Sequence, residues 1–129
     1  MTDSSGAYLF SSLPSGGIYT VTPSKAPQTP GSAGINTVDV VATQRHFLQI
    51  ALLSGCRLKA ADVNLDNSVN TVDIVAIQRF FLGQTTGISN VGKYQFIPVS
   101  RTYTGIVNDQ TGQNYDALVF GDVASPFLH

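Results

Sequence analysis

Oxygen-bearing side chains fall in near-alternation along Asp62-Val63-Asn64-Leu65-Asp66-Asn67-Ser68-Val69-Asn70-Thr71-Val72-Asp73. With Asp62 as position 1, Asp62, Asn64, Asp66, Ser68, Asn70 and Asp73 occupy positions 1, 3, 5, 7, 9 and 12. Calcium is a hard cation that takes about six to eight oxygen ligands. A tightly coiled loop meets that demand by turning alternate side chains inward and closing with a carboxylate from the first turn of a helix. Asp62, Asn64 and Asp66 would offer side-chain oxygens, Ser68 its backbone carbonyl, Asn70 a direct or water-mediated contact, and Asp73 the closing carboxylate. The sharp bend at position 6 falls on Asn67, which tolerates the left-handed conformation better than most residues. Turn chemistry alone explains part of this pattern, because Asn70 or Thr71 suits a helix N-cap and Asp73 suits the positive end of a helix. It leaves the strict alternation of Asp62, Asn64 and Asp66 without a reason.

The same stretch is duplicated. Gly34 to Leu48 reads GINTVDVVATQRHFL and Ser68 to Leu82 reads SVNTVDIVAIQRFFL, ten of fifteen positions identical without a gap at an offset of 68 − 34 = 34 residues. Ile35 and Val69, both at loop position 8, are expected to point inward as apolar anchors of a short strand pair that couples the loops. The first copy lacks the acidic run. Its positions 1, 3 and 5 are Gln28, Pro30 and Ser32, so Gly34 (through its carbonyl), Asn36 and Asp39 are its remaining donors. One carboxylate is too little charge for tight binding, which makes this second site weaker or empty.

With these residues in view, the duplicated loop-helix units, carrying Asp at loop position 12, resemble the type I dockerin family of bacterial extracellular proteins. The resemblance covers roughly Lys25 to Gly83 and is most specific in DxNxDxSxNxxD, an EF-hand-like loop. It implies calcium as cofactor and a cohesin-type receptor as partner. In that family recognition residues lie at loop positions 10 and 11 and one and a half turns along the helix. Here those positions are Thr71, Val72, Gln78 and Arg79, with Thr37, Val38, Gln44 and Arg45 as their symmetry mates. All four are repeated identically, which would permit two equivalent binding orientations.

Short apolar helices must follow each loop. Ile74, Ile77 and Phe81 share a helical face, with Val75 and Phe80 beside them and Gly83 as a stop. The first helix is expected from Val38 to Leu53, offering Val40, Val41, Phe47, Leu48, Ala51 and Leu52 to the core. A further short helix near Leu58 to Ala61 leads into the acidic loop and leaves Cys56 and Leu58 under the turn. Upstream, Thr2 to Phe10 and Leu13 to Pro23 have strand, turn, strand punctuation. They resemble the closing hairpin of carboxypeptidase-regulatory-like and collagen-adhesin B-type β-domains of bacterial surface proteins. A lone hairpin is marginal in water. Downstream, Tyr94 to Val99, Arg101 to Thr104 and Tyr115 to Val123 read as strands, and 108–114 as a polar loop. The expected fold class is therefore α+β, a dockerin-like repeat pair (25–85) with a small β-sheet built from the N-terminal (1–24) and C-terminal (86–129) segments. Gly121-Asp122-Val123 faintly resembles the opening of another calcium loop, a pattern that Ala124-Ser125-Pro126 breaks.

Composition narrows the function. The 129 residues carry 43% hydrophobic side chains, one cysteine and a formal net charge of −1. That suits one small domain, stapled by metal and not by an internal disulfide, with Cys56 a small buried hydrophobe. No basic run suggests nucleic acid, and no apolar stretch is long enough to insert in a membrane. Met1 leads directly into what reads as the middle of a β-domain, so the chain is expected to be a fragment of a larger secreted or cell-surface protein, monomeric in itself. His46 aligns with Phe80 and His129 is terminal; neither joins a serine or cysteine in a catalytic pattern, and the spacing of the acidic run is that of ligands, not of a general acid and base. An enzyme site is not expected. Two functions remain: a calcium-stabilised spacer or cap attached to neighbouring domains of the parent protein, and a docking module for a cohesin-like domain. The β-flanks favour the first, because an ordinary dockerin needs neither.

Overall fold

The two repeated segments fold identically because the same signals start and stop them. In the computed structural model, which describes residues 2–84 and 89–125, they form α1 (Thr37–Phe47) and α3 (Thr71–Phe81). Asn36 and Asn70 are the N-caps, each accepting from a helix N–H while Asp39 or Asp73 reaches back to the cap's own N–H, a capping box that satisfies donors at both positions. The helices also end alike. Gly83 takes the left-handed conformation (φ 79°) and so does Gln49 (φ 58°), its counterpart 34 residues earlier. The N–H groups of Ile50 and Gln84 then return to the carbonyls of Arg45 and Arg79, both at 2.8 Å. This is why α1 stops at Phe47 and does not run to Leu53. No glycine announced that stop. The chain instead turns back, held by the Leu53 N–H donating to His46 Nδ1 at 2.9 Å.

The α1 and α3 faces pack on each other, but the buried stripe differs from the one read off the apolar residues. Asp73, Ala76, Ile77 and Phe80 lie inward on α3, while Val75 and Phe81 are exposed. On α1 the buried positions are Asp39 and Thr43, with Val40 and Ala42 partly covered; Val41, Phe47, Leu48 and Leu52 face out, as does Ala51. The capping aspartate fixes the rotation of each helix, and positions three, four and seven residues later must follow it inward. Ile35 is fully buried and Val69 partly so. Both anchor their loops inward as expected, although no strand pair joins them among the described residues. The short helix before the acidic loop is α2 (Gly55–Ala61), with Cys56 partly buried and Leu58 largely exposed.

The remaining elements are β1 (Ile18–Val21), β2 (Tyr94–Ile97), β3 (Arg101–Thr104) and β4 (Asp116–Val119), and the architecture is α+β. The strands form two antiparallel ribbons: β1 with β3, Ile18 opposite Thr104, and β2 with β4, Tyr94 opposite Val119. The N-terminal and C-terminal segments thus share a ribbon, while residues 2–10 contribute a single bridge between Thr2 and Tyr8 in place of a hairpin strand. β1 finds its partner far downstream, as Val21 opposite Arg101 and Thr20 beside Thr102, whose hydroxyls lie 3.1 Å apart, illustrate. The outer ribbon is tied down by aromatics: Tyr115 donates to the Val21 carbonyl at 3.1 Å, and the Arg101 guanidinium sits 5.3 Å from the Tyr115 ring centre.

The β4 end is structurally central. Leu118, Val119, Phe120 and Val123 are buried with Ile35, Ala60, Ala61, Val63, Ile77, Phe80 and Val91, so one core joins the helices to the C-terminal segment. Backbone bonds carry the same connection. Gly92 donates to Phe120, Gln28 to Gly92, and Gly121 to Ala60 at the end of α2, all at 2.8–2.9 Å. Gly121 has φ 92°, and a methyl group there would meet Val91 Cγ1 at 2.7 Å. Gly121→Ala should therefore destabilise the protein by about 2 kcal/mol or more, from left-handed strain plus overpacking. Urea denaturation at fixed calcium reads this out, and an unchanged midpoint would contradict the packing described.

Candidate metal centre

The acidic loop between α2 and α3 is shaped by its own carboxylates. The Asp66 N–H donates to Asp62 Oδ1 and to Asn64 Oδ1, each at 3.2 Å, and the Asn67 N–H donates to Asp62 Oδ2 at 2.8 Å. Ser68 N–H donates to Asp66 Oδ1 at 3.0 Å. These bonds coil the chain, and two residues take left-handed backbone to allow it: Asn67 (φ 66°), as its position 6 requires, and Leu65 (φ 60°), which sequence pattern gave no reason to expect. The result is convergence. One carboxylate oxygen from each of Asp62, Asp66 and Asp73 lies within 4.8 Å of the others.

Asp73 closes this loop from inside the protein. It is fully buried, its Oδ1 accepting from the Val63 N–H at 3.0 Å and the Asn64 N–H at 3.4 Å, its Oδ2 from the Asn70 N–H at 2.9 Å. Burial pushes its carboxyl above the usual range, the backbone donors pull the other way, and the negative charge of Asp62 pushes further up. Three carboxylates gathered at such a spot repel one another unless a cation joins them. The donor set, all oxygen and mixed between carboxylate, amide and backbone carbonyl, fits a hard divalent ion of calcium's preference; Asp62, Asn64, Asp66, Ser68, Asn70 and Asp73 would hold it.

The first loop is built differently. Gln28, Pro30 and Ser32 form no acidic coil: the Gln28 N–H donates to the Gly92 carbonyl, and its side chain lies over Gly34, accepting from Ser32 Oγ at 3.1 Å and donating to Tyr94 Oη at 3.4 Å. Asn36 and Asp39 keep the geometry of Asn70 and Asp73, with Asp39 Oδ2 accepting from the Asn36 N–H at 2.9 Å. Its other oxygen, Asp39 Oδ1, accepts from the Ala124 N–H at 3.0 Å, across 85 residues. Asp122 stands beside Asp39, and burial together with the Asp39 charge pushes its carboxyl up to about 6. Sequence reasoning set Asp122 aside; the signal was present in the likeness of Gly121-Asp122-Val123 to Ala61-Asp62-Val63. His129 and Pro126 lie outside the described residues.

All eight candidate recognition residues are exposed: Thr37, Val38, Gln44 and Arg45 on α1, Thr71, Val72, Gln78 and Arg79 on α3. Val38 and Val72 show 60% and 57% of their surface, unusual for valine on a helix. A shallow groove beside α3 is lined by Thr71, Val72, Val75, Ala76 and Arg79 with Asn64 and Ser89.

Residues 31–82 match the family model of the dockerin type I domain. The match spans both repeats and begins after the N-terminal segment, whose resemblance to surface-protein β-domains gains no support from it. Comparison with curated proteins and with solved structures yields no match. Dockerin domains are non-catalytic docking modules, typically calcium-binding, that bind cohesins and occur in secreted or cell-surface proteins. Among the described residues no helix is long and apolar enough to cross a membrane.

The raised carboxyls fix the sign of a pH effect. In chelated protein, folded Asp122 keeps its proton up to about pH 6, whereas an unfolded chain releases it near 3.8; Asp73 is shifted in the same direction. The folded state then binds more protons between those values, so stability lost to these two groups grows as pH rises through that window. Chelated protein should therefore show a lower urea midpoint at pH 7 than at pH 5, with the difference reduced or reversed by saturating calcium. A chelated midpoint that rises from pH 5 to pH 7 would contradict the assignment of these carboxyls as desolvated and mutually repelling.

Proposed function

We propose that this chain is a non-catalytic, calcium-binding dockerin-like module of a secreted or cell-surface protein, in which the metal held by Asp62, Asn64, Asp66, Ser68, Asn70 and Asp73 stabilises a spacer or cap. The first loop, through Gly34, Asn36 and Asp39, is the weaker or empty site. The segments 1–24 and 86–129 act as structural flanks of the repeat pair 25–85. One observation carries this reading: Leu118, Val119 and Phe120 of the C-terminal flank share a core with Ile35 and Ile77 of the repeats. A free-standing docking module would have no use for such a flank.

Calcium bound to the folded state alone contributes RT ln(1 + [L]/Kd), about 4 kcal/mol at a thousandfold excess over the dissociation constant. Calorimetry should therefore record calcium binding well ahead of magnesium, and Asp62→Ala or Asp73→Ala should remove the calcium-dependent rise in melting temperature. Variants that kept wild-type affinity and melting temperature would defeat the metal assignment.

A second reading, docking to a cohesin-like domain, is favoured by the exposure of the repeated Thr-Val and Gln-Arg positions on both helices. The two readings separate experimentally. A fragment spanning residues 25–83 would lack the burial of Leu118, Val119 and Phe120, each contributing on the order of 1.5–3 kcal/mol. Under the spacer reading it is far less stable than the whole chain even in saturating calcium. Equal stability of the fragment, with tight cohesin binding lost on charge reversal at both Arg45 and Arg79, would favour the docking module instead.

A further inference from the structure

The two loops close by the same bond made from different places. In the second, Asp73 Oδ1 accepts from the Asn64 N–H at 3.4 Å, nine residues away, and from the Val63 N–H at 3.0 Å; in the first, Asp39 Oδ1 accepts from the Ala124 N–H, the counterpart of Asn64, at 3.0 Å and eighty-five residues away. The remaining oxygens match too, Asp39 Oδ2 and Asp73 Oδ2 each accepting from the cap asparagine N–H at 2.9 Å. Around these bonds the two segments correspond. Val63 and Val123 are both fully buried in the common core, and each follows an aspartate. Both aspartates fold their following residues back on themselves, though not by the same bond: Asp62 Oδ1 accepts from the Asp66 N–H four residues on, and Asp122 Oδ1 from the Ser125 N–H three residues on, each at 3.2 Å. The segment is also fixed in place independently of the acids, by the Gly121 N–H to the Ala60 carbonyl at 2.9 Å and by Val91 and Ile35 closing over Gly121. The contiguous residue that should open the first loop, Gln28, carries an amide in place of a carboxylate; it lies over Gly34, its Oε1 accepting from Ser32 Oγ and its Nε2 donating to Tyr94 Oη.

We propose that the first repeat is permuted: residues 121–125 replace its missing opening half, and Asp122 serves as position 1 of a second divalent-cation site completed by Gly34, Asn36 and Asp39. This inference rests on the calcium reading of the second loop and extends it to a donor set that no contiguous stretch of the chain supplies. The site would then count two carboxylates, Asp39 and the neighbouring Asp122, in place of the single one that Gln28 to Asp39 offers. That is still one fewer than the second loop gathers. The two sites are accordingly unequal, the permuted one weaker.

Calcium titration of the whole chain, followed by calorimetry and by native mass spectrometry, should give two ions per chain with distinct affinities. The near-isosteric Asp122→Asn should weaken the weaker site tenfold or more and leave the tighter one unchanged, while Asp62→Ala weakens the tighter site. Wild-type protein that saturates with one ion, or Asp122→Asn that leaves both affinities intact, would overturn the proposal. Loss of response to Asp62→Ala as well would sink the calcium reading beneath it, so the two failures are distinguishable. Should Asp122→Asn fail to fold, wild-type protein still decides. A paramagnetic lanthanide added beyond the first equivalent should broaden the amide signals of Val123 and Ala124 together with Asn36. Broadening confined to 62–73 at two equivalents would contradict a composite site.

Discussion

The buried carboxylate at the start of each long helix is the constraint on which the other packing depends. Asp39 and Asp73 are removed from water almost completely, and an isolated carboxylate in such a place would cost several kcal/mol. Each survives there because backbone N–H groups from two segments converge on it: the cap asparagine on one oxygen, and Val63 or Ala124 on the other. Helix rotation is then no longer free. With Asp73 inward, Ala76, Ile77 and Phe80 must be inward as well, and Phe81 is left outside despite its size. Polar chemistry decides which apolar residues form the core, the reverse of the order in which an amphipathic helix is ordinarily read.

The same constraint accounts for the merging of two sequence regions into one core. A loop that collects charge needs a rigid apolar floor, and Val63, Val123 and Ile35 provide it in one buried cluster with Leu118 and Val119 of β4 and the following Phe120. Gly92 and Gly121 are the points where backbone passes close enough for this to work; a methyl group at Gly92 would meet the Phe80 ring at 2.6 Å. The outer ribbon of β1 and β3 takes no part in that floor. It is fastened through Tyr115, Arg101 and the Val21 carbonyl, contacts that lie nearer to solvent.

What the sequence disclosed follows the range of the interactions. Short-range features were legible: the duplicated helices, their starts at asparagine, the left-handed Asn67, the inward Ile35 and Val69, and the α+β class. Features set by partners far along the chain were not. The buried stripe of α1 carries Thr43, whose hydroxyl donates to the Asp39 carbonyl at 2.8 Å, so hydrophobicity gave it no weight. Gln49 in the left-handed conformation ends α1 without a glycine to announce it. The N-terminal strand pairs with Arg101–Thr104 and not with its sequence neighbour, a partner most of the chain away that no local pattern names. In the acidic loop, spacing alone sufficed to single out the aspartates that converge, since that convergence is imposed within twelve residues. At Asp122 the relevant neighbour, Asp39, is most of a chain length away.

That difference in range has an energetic consequence for the two repeats. Closing a loop of n residues costs about (3/2)RT ln n plus a constant, so bringing Ala124 to Asp39 across 85 residues costs roughly 2 kcal/mol more than bringing Val63 to Asp73 across ten. A penalty of that size is small beside the burial of Leu118 and Val119, each worth on the order of 1.5–3 kcal/mol, which the same closure brings about. The long-range bond is therefore affordable only as part of docking the whole β4 segment. The second loop, by contrast, contains everything its closure requires and gains little from waiting. Order follows from this: the second repeat is able to assemble locally, and the first acquires its final form when β4 settles into the core and sets residues 121–125 against Asp39. Stability of the first loop is thus governed by the C-terminal flank, and that of the second by contacts made within its own twelve residues.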